Sequence, residues 1–497
     1  MASTQLIILS GYRASSLTRA PPTAWQIQHE LGRLLSNSSM IYGPTSPDFP
    51  KETERYNTLS LPKIQVVVRP GVERDVARIV DYANSHGIEF YASSRGHSLT
   101  TSIGAFDGLQ IDLSGLQEIT IHPGNLTATF QGGVYSDKAI STMAAAGYVT
   151  ATGACSCVSV LGPALGGGHG NQQGQHGLTS DGLVDMNVVL ANGKEVTVSN
   201  STHTDLWWAM RGAGHNFGIV TSYNVKIYQD KKTYYYRTYE YSGDKLEPLF
   251  EAVNKLNGNG TLSTQWLGTF GFFSINTDIS ATEATITWVF VFNGPKLTAL
   301  PHFKPFDALG PVSYVDGNVP YSKINEALGG GVDGPLCVAN QTHIGGTAGL
   351  QTYNVTAERQ IYDLYNAKVA QHPELGTTRV LHEGYAVKGV RAIDAADSAF
   401  PHRDDYLLTF FDATPDPTLE KFAMKWRNET VNLWNAGQPQ RRPSAYVNYA
   451  AGYEGLEAMY GYEAWRLERL RRLKAKYDPH NRFAYYNPII PPVGRKA

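Results

Sequence analysis

The chain has 497 residues, enough for two or more domains, and 42% of them are hydrophobic, ample for sizeable cores. Its formal net charge of −2 gives no electrostatic basis for binding nucleic acid or an anionic membrane. Three cysteines in such a length cannot be a disulfide framework, and there is no apolar run of the ~18 residues that cross a bilayer.

Near the N-terminus, Leu6-Ile7-Ile8-Leu9 is too short for the hydrophobic core of a signal peptide. Asn-x-Ser/Thr acceptors nevertheless occur at Asn37, Asn125, Asn200, Asn259, Asn340, Asn354 and Asn428. Such triplets also arise by chance, so the sequence leans toward secretion and leaves a cytoplasmic location open. Residues 25–230 alternate short β-rich runs with glycine turns and occasional helices. Ile64 to Pro70 reads as a strand stopped by Pro70, Val72 to Asn84 as a helix, and Gly87 to Ala92 as a strand delivering His97 on the next loop. Further on, Gly162, Gly166, Gly167, Gly168 and Gly170 uncover backbone amides and permit positive φ, which suits close approach to a pyrophosphate or a flat ring. A tight turn with no ligand is the alternative. A Rossmann site fits less well, because no Gly-x-Gly-x-x-Gly opens a helix after a strand.

From Tyr234 the texture changes. Long strand candidates at Ala284–Phe292 and Tyr406–Phe411 alternate with helices over Thr356–Ala370 and Thr418–Asn435. Gly329-Gly330-Gly331 reads as a loop. Between Arg466 and Lys476, Leu467, Leu470, Leu473 and Tyr477 recur at helical spacing, so the basic residues there are expected on the wet face of an amphipathic helix.

Two soft nucleophiles stand in glycine-marked segments: His97 in Ser94-Arg95-Gly96-His97-Ser98, and Cys155 in Gly153-Ala154-Cys155-Ser156-Cys157-Val158. Together they could bond one electrophilic ring. A lone His between small residues is more often a turn or core residue, but the pairing with Cys155 favours function. No His or Cys spacing fits zinc, and the Gly-x-Ser-x-Gly elbow of a serine hydrolase is missing. Tyr446 and Asn448 lie two apart, so on a strand they would share one face, with Val447 and Tyr449 on the other.

These segments, with Asp181-Gly182-Leu183-Val184-Asp185, Asp205 to Gly214 and Lys476 to Phe483, resemble the berberine-bridge-enzyme-like branch of the vanillyl-alcohol-oxidase and p-cresol-methylhydroxylase superfamily. The resemblance implies an α+β chain with a two-domain p-cresol-methylhydroxylase-type FAD-binding fold. Residues 25–230 and 460–497 would form the flavin-binding domain, and residues 231–459 an antiparallel-sheet substrate domain backed by helices. It further implies FAD bonded through its 8α-methyl to His97 and through carbon 6 to Cys155. Arg95, Gly96, Ser98, Gly162, Gly166, Gly167, Gly168, Asp181, Val184, Gly218, Ile219 and Asn487 would surround the cofactor. Cys157 and Cys337 are then left as buried thiols. Cys157 falls where the family has a small residue, Asn487 where it has Gln, and Glu463 where Asn is common.

In this family a base comes from the substrate-domain sheet or from the Tyr-x-Asn-Tyr segment. Tyr446 is the first candidate, with Asn448 beside it. Its phenol, ordinarily near pKa ~10, needs a cationic or hydrogen-bonding neighbour, and Lys388 and Arg391 precede Phe400-Pro401-His402-Arg403, which resembles a family segment. Its alternative role is a buried tyrosine with a satisfied hydroxyl. Ala392 and Ala395 occur where several relatives place an acidic base. Val158, three residues after Cys155, is the residue type found in relatives that react with oxygen.

The implied activity is an FAD oxidase that takes hydride from a secondary alcohol, a sugar hemiacetal or an activated C–H, with O2 reduced to H2O2. Its partners would be a small molecule, either an oligosaccharide or a secondary metabolite, and O2. Trp266, Phe270, Trp288 and Tyr314 are candidates for a substrate platform and equally for ordinary core aromatics. A redox-neutral cyclase, a binding module with a vestigial flavin, and a dehydrogenase with another acceptor are the alternatives.

Overall fold

The structure is a computed structural model that describes residues 22–230 and 233–490; the Leu6–Leu9 run lies outside them. The apolar run Val66-Val67-Val68 makes an inner strand, Lys63–Arg69, of a four-stranded sheet. Its spatial order is Met40–Tyr42, Lys63–Arg69, Asp107–Asp112, Phe90–Ser93, and the last three strands run parallel. Helix Glu73–Ser85 covers it, burying Val76, Ile79, Val80 and Ala83 on one helical face. Phe90–Ser93 ends in the loop that carries His97.

A second sheet is antiparallel, in the order Ile119–His122, Thr127–Gln131, Ile219–Lys226, Leu183–Val189, Glu195–Ser199. Its core also receives helices Leu161–Leu165, Thr204–Ala213 and Ala464–Tyr477. The last of these corrects the expected all-wet basic face. Arg466 and Lys474 are buried. The Arg466 guanidinium donates to the carbonyls of Ser398 and Ala395, while Lys474 Nζ bonds the Asp478 carboxylate and the carbonyls of Asn216 and Phe483.

The third sheet has seven antiparallel strands, ordered Ser313–Val319, Tyr234–Tyr241, Thr285–Asn293, Trp266–Ser274, Arg379–Gly384, Leu407–Ala413, Ile344–Leu350. Helices Leu246–Asn257, Val355–Gln371 and Glu420–Ala436 pack against it. Strand alternation sorts neighbours in Arg379–Gly384: His382 bonds Glu358 of helix Val355–Gln371, and Glu383 turns to the opposite face. Trp266, Phe270 and Trp288 are buried in this core, and Tyr314, on the edge strand, lies under the Arg237 guanidinium. The core role therefore holds for Trp266 and Trp288, whereas Phe270 lies opposite Glu383 and packs on Tyr385.

The chain rejoins the first domain's core at Ala445, followed by Val447 and Ala450. Among the described residues, no helix is long and apolar enough to cross a membrane.

Candidate active site

A cleft opens along the first domain. Ser94, Arg95, Gly96, His97 and Ser98 line it from one loop, Val158 with Gly162 and Leu165 of helix Leu161–Leu165 from another segment, and Gly218, Ile219, Asn448, Tyr485 and Tyr486 complete it. Gly96 needs its lack of side chain: φ is +63°, in the left-handed region. Ser94 Oγ and Ser98 Oγ are buried without a hydrogen-bond partner among the described residues. Buried hydroxyls left unpaired are costly, so donors of this kind along an elongated cleft fit the anionic oxygens of a dinucleotide.

At the end of this loop the His97 ring stacks on Tyr56 at 3.8 Å, and Tyr56 stacks on His343 at 3.9 Å. His343 Nδ1 is in turn 2.8 Å from Asp412 Oδ1. His97 Nε2 donates to the Leu336 carbonyl at 3.3 Å, which leaves the lone pair on Nδ1. Burial lowers the His97 pKa to about 4, so the ring is neutral and nucleophilic near pH 7. Ligand atoms of His97, Cys155 and Cys157 all lie within 4.8 Å of one another. Two nucleophiles this close can reach neighbouring positions of one ring. Cys155 is the free thiol, and burial pushes its pKa up to about 11. Cys157 and Cys337 are joined as a disulfide, which corrects the expectation of buried thiols.

Tyr446 sits beyond this point, buried, and its hydroxyl oxygen accepts from the His169 amide at 3.0 Å and from Asn448 Nδ2 at 2.7 Å. Asn448 Nδ2 also donates to the Pro163 carbonyl, so the amide is held from both sides. Residues 446–449 form a turn, with the Tyr449 amide bonded to the Tyr446 carbonyl, and no strand. That turn is why Tyr449 packs with Tyr446, ring centroids 5.1 Å apart, when strand alternation placed them on opposite faces. Burial raises the Tyr446 pKa to about 12 against the effect of its amide donors. Lys388 does not offset this, because it is exposed at the start of helix Lys388–Arg391.

Sequence reasoning missed Glu383. It is buried on the roof sheet and accepts from the hydroxyls of Tyr385 and Tyr449, each at 2.7 Å. Burial holds its carboxyl above the usual carboxylate range. A readable signal existed: the strand Arg379–Gly384 carries an adjacent His382-Glu383 pair, which puts one titratable side chain on each face of the sheet. Tyr56 and Leu336 were also missed and carried no local signal, and Cys337 was read only as a buried thiol.

Several expected cofactor contacts have other work. A Cβ at Gly166 would collide with Asn448, one at Gly167 would lie 2.5 Å from the Phe400 ring, and one at Gly168 2.7 Å from Thr179. Gly166 and Gly167 thus let substrate-domain segments approach, and Gly168 lets Thr179 of the first domain pack closely. Asp181 faces Arg403, with two bonds of 2.9 and 3.0 Å, and Val184 lies on strand Leu183–Val189 outside the cleft lining. Asn487 Nδ2 binds the Val447 carbonyl, tying the C-terminal segment to the Tyr446 turn, while its Oδ1 is buried without a partner among the described residues.

A cleft lined by the His97 loop, with a free cysteine within 4.8 Å of that histidine, in a chain that pairs this domain with a seven-stranded antiparallel sheet, defines an FAD-binding oxidoreductase of the p-cresol-methylhydroxylase type. Residues 64–199 match a family model described as FAD binding domain, and residues 445–490 one described as berberine and berberine like. The FAD-linked oxidoreductase anuG of Penicillium roqueforti is 50% identical over 476 residues, covering 95% of this chain and 94% of the relative. OXR2 of Pyricularia oryzae, likewise named an FAD-linked oxidoreductase, is 47% identical over 485 residues, covering 95% and 93%. Among solved structures, a chitooligosaccharide oxidase superposes with a TM-score of 0.77 at 20% identity, over 94% of this chain and 100% of that one. A glucooligosaccharide oxidase from Acremonium strictum, whose FAD is described as 6-S-cysteinyl, 8α-N1-histidyl, gives 0.77 at 21% over 94% and 99%. The chain belongs to the berberine-bridge-enzyme-like FAD-linked oxidoreductases, and FAD is its cofactor.

Proposed function

We propose that this enzyme is an oxidase that holds FAD through both His97 and Cys155 and oxidises a compact, largely apolar alcohol or similarly activated C–H. The observation that carries the reading is the convergence of a neutral imidazole and a free thiol within 4.8 Å at one end of the cleft. When bound, FAD supplies a two-electron hydride acceptor that dioxygen can regenerate, with hydrogen peroxide as the product.

The protein's task is then to orient a substrate hydroxyl and take its proton. Tyr446 Oη, fixed by two N–H donors, is the group that positions the substrate oxygen. Glu383 is the proton's destination, reached through the Tyr449 hydroxyl that already donates to it. A carboxyl raised by burial is better matched to accept a proton near neutrality than a phenol raised to about 12. Val158 lines the cleft as a small side chain beside the attachment segment, which supports oxygen as the acceptor.

The substrate class follows from what the roof lacks. Trp266 and Trp288 are spent in the core and offer no stacking platform for a sugar chain, while Phe270, opposite Glu383, joins Tyr385, Phe400 and Phe410 in walling the Tyr446, Tyr449 and Glu383 side chains with apolar rings. We also propose passage through an oxidising, glycosylating compartment. Support comes from the Cys157–Cys337 disulfide and from the exposure of all seven acceptor asparagines.

The test is a peroxide-coupled screen of sugars, alcohols and phenolic metabolites, with denatured mass of the wild type, Cys155→Ala and His97→Ala. Peroxide with a phenolic or alicyclic alcohol, and flavin mass surviving denaturation until both residues are replaced, is expected. Peroxide only with oligosaccharides would overturn the substrate class; no peroxide with any substrate would favour a redox-neutral or non-oxygen-linked function.

A further inference from the structure

Three sulfurs gather beside the His97 imidazole, although attachment needs only one thiol. Cys157 Sγ lies 3.6 Å from His97 Nε2 and 3.6 Å from Cys155 Sγ, so position alone does not distinguish the two cysteines of Cys155-Ser156-Cys157. Cys337 does distinguish them. It arrives on the substrate-domain loop after helix Ile324–Ala327 and is bonded to Cys157.

That loop is fastened across the whole attachment segment. The Ser156 amide donates to the Gly330 carbonyl at 2.8 Å, and Asn325 Nδ2 donates to the Gly153 carbonyl at 3.3 Å. One residue before Cys337, the Leu336 carbonyl takes the Nε2 proton of His97.

We propose that Cys337 determines where the flavin is attached: it holds Cys157 as a disulfide so that Cys155 alone is offered as a thiol. The proposal rests on the two-point attachment argued above. Joining Cys155 Sγ to ring carbon 6 removes the thiol hydrogen and the hydrogen on that carbon, and the electron pair released passes with two protons to dioxygen. A disulfide sulfur has no thiolate form and no hydrogen to lose, so Cys157 is out of the competition. The disulfide is also guarded from its neighbour. Cys155 Sγ is almost equidistant from Cys157 and Cys337, at 3.6 and 3.8 Å, and so faces the flank of the bond, whereas thiol–disulfide exchange requires approach along its axis.

The experiment maps flavin and thiols by mass spectrometry in wild type, Cys337→Ser and the double variant Cys157→Ala/Cys337→Ser. Free thiols are alkylated first, digestion is without reductant, and fragmentation of the peptide holding residues 155 and 157 locates the flavin. Wild type is expected to carry flavin on Cys155 only, with Cys157 linked to Cys337. Cys337→Ser is expected to divide its cysteinyl flavin between Cys155 and Cys157, and the double variant to return it to Cys155. Single-site loading of Cys337→Ser at the wild-type level, or alkylated Cys157 and Cys337 in wild-type holoenzyme, would overturn the proposal. Should Cys337→Ser fail to accumulate, wild type made in a reducing host gives the same readout: two sites support the proposal and one site overturns it. Wild type with flavin on His97 alone would instead sink the attachment reading beneath it.

Discussion

Arg403 grips Asp181 with two hydrogen bonds of 2.9 and 3.0 Å, and both side chains are buried. The pair ties the turn Thr179–Gly182 of the first domain to the segment under the roof sheet. Removing one partner strands a buried charge, so Arg403→Met and Asp181→Asn are each expected to lose about 3–5 kcal/mol of stability. Urea unfolding checks the loss. Because Asp181 faces away from the cleft, the Asp181→Asn protein that does fold is expected to carry wild-type flavin content.

Gly167 has φ +104° and abuts the Phe400 ring. Gly167→Ala is expected to cost about 1–3 kcal/mol through overpacking, with a backbone penalty added. Thermal unfolding reads the stability, and flavin mass per folded protein should be unchanged; intact stability with lost flavin would mean that the triple glycine touches the cofactor after all.

Tyr446→Phe removes the oxygen that receives the His169 and Asn448 donors. The turnover rate on the best substrate is expected to fall by roughly 10²-fold, the loss expected of a misplaced substrate oxygen, measured by steady-state peroxide release. Full activity would make Tyr446 a packing residue only.

Glu383 must be ionised to accept a proton, and burial raises its pKa above the ordinary carboxylate value. Activity is therefore expected to decline as pH falls through that raised value, at a higher pH than an exposed carboxylate would give. Glu383→Gln should abolish this acid limb and slow turnover. It should not unfold the protein, since ionising a group whose folded pKa is raised costs stability as pH rises.

His169 and His215 each have a pKa lowered to about 4 by burial. The unfolded chain, with imidazoles near ~6.5, binds more protons in between, so stability is expected to fall as pH drops from ~6.5 toward 4. Tm measured across that window checks it, and His215→Gln should flatten the slope.

The nucleophiles were legible in the sequence because each sits in a short motif whose glycines mark its loop. Regular elements were legible from alternation: the observed strand Thr285–Asn293 differs by one residue at each end from the run read as Ala284–Phe292. Helical spacing likewise revealed the buried leucines of Ala464–Tyr477, but spacing cannot say which flanking cation the returning chain will cover, and Arg466 and Lys474 are covered. Close approach at Gly166-Gly167-Gly168 was legible, while the side chains that use it, Asn448, Phe400 and Thr179, were not. The Tyr56 plate, the Leu336 carbonyl and Cys337 are brought to His97 by tertiary contacts alone; Leu336 is 239 positions away. A two-residue interval suggested a strand at Tyr446, and a local turn won instead because the Tyr449 amide finds the Tyr446 carbonyl.

Residues 445–450 stitch the two halves together, sending Ala445, Val447 and Ala450 into one core and Tyr446 into the other. A chimera that borrows a relative's roof to change its substrate would have to treat this seam as a unit. A crossover before it parts the tyrosine from its own sheet, with Glu383, and one after it parts the tyrosine from the His169 amide. Substrate choice and proton transfer are in that sense inherited together, and recombination between family members should succeed only where the seam and the sheet above it come from the same parent.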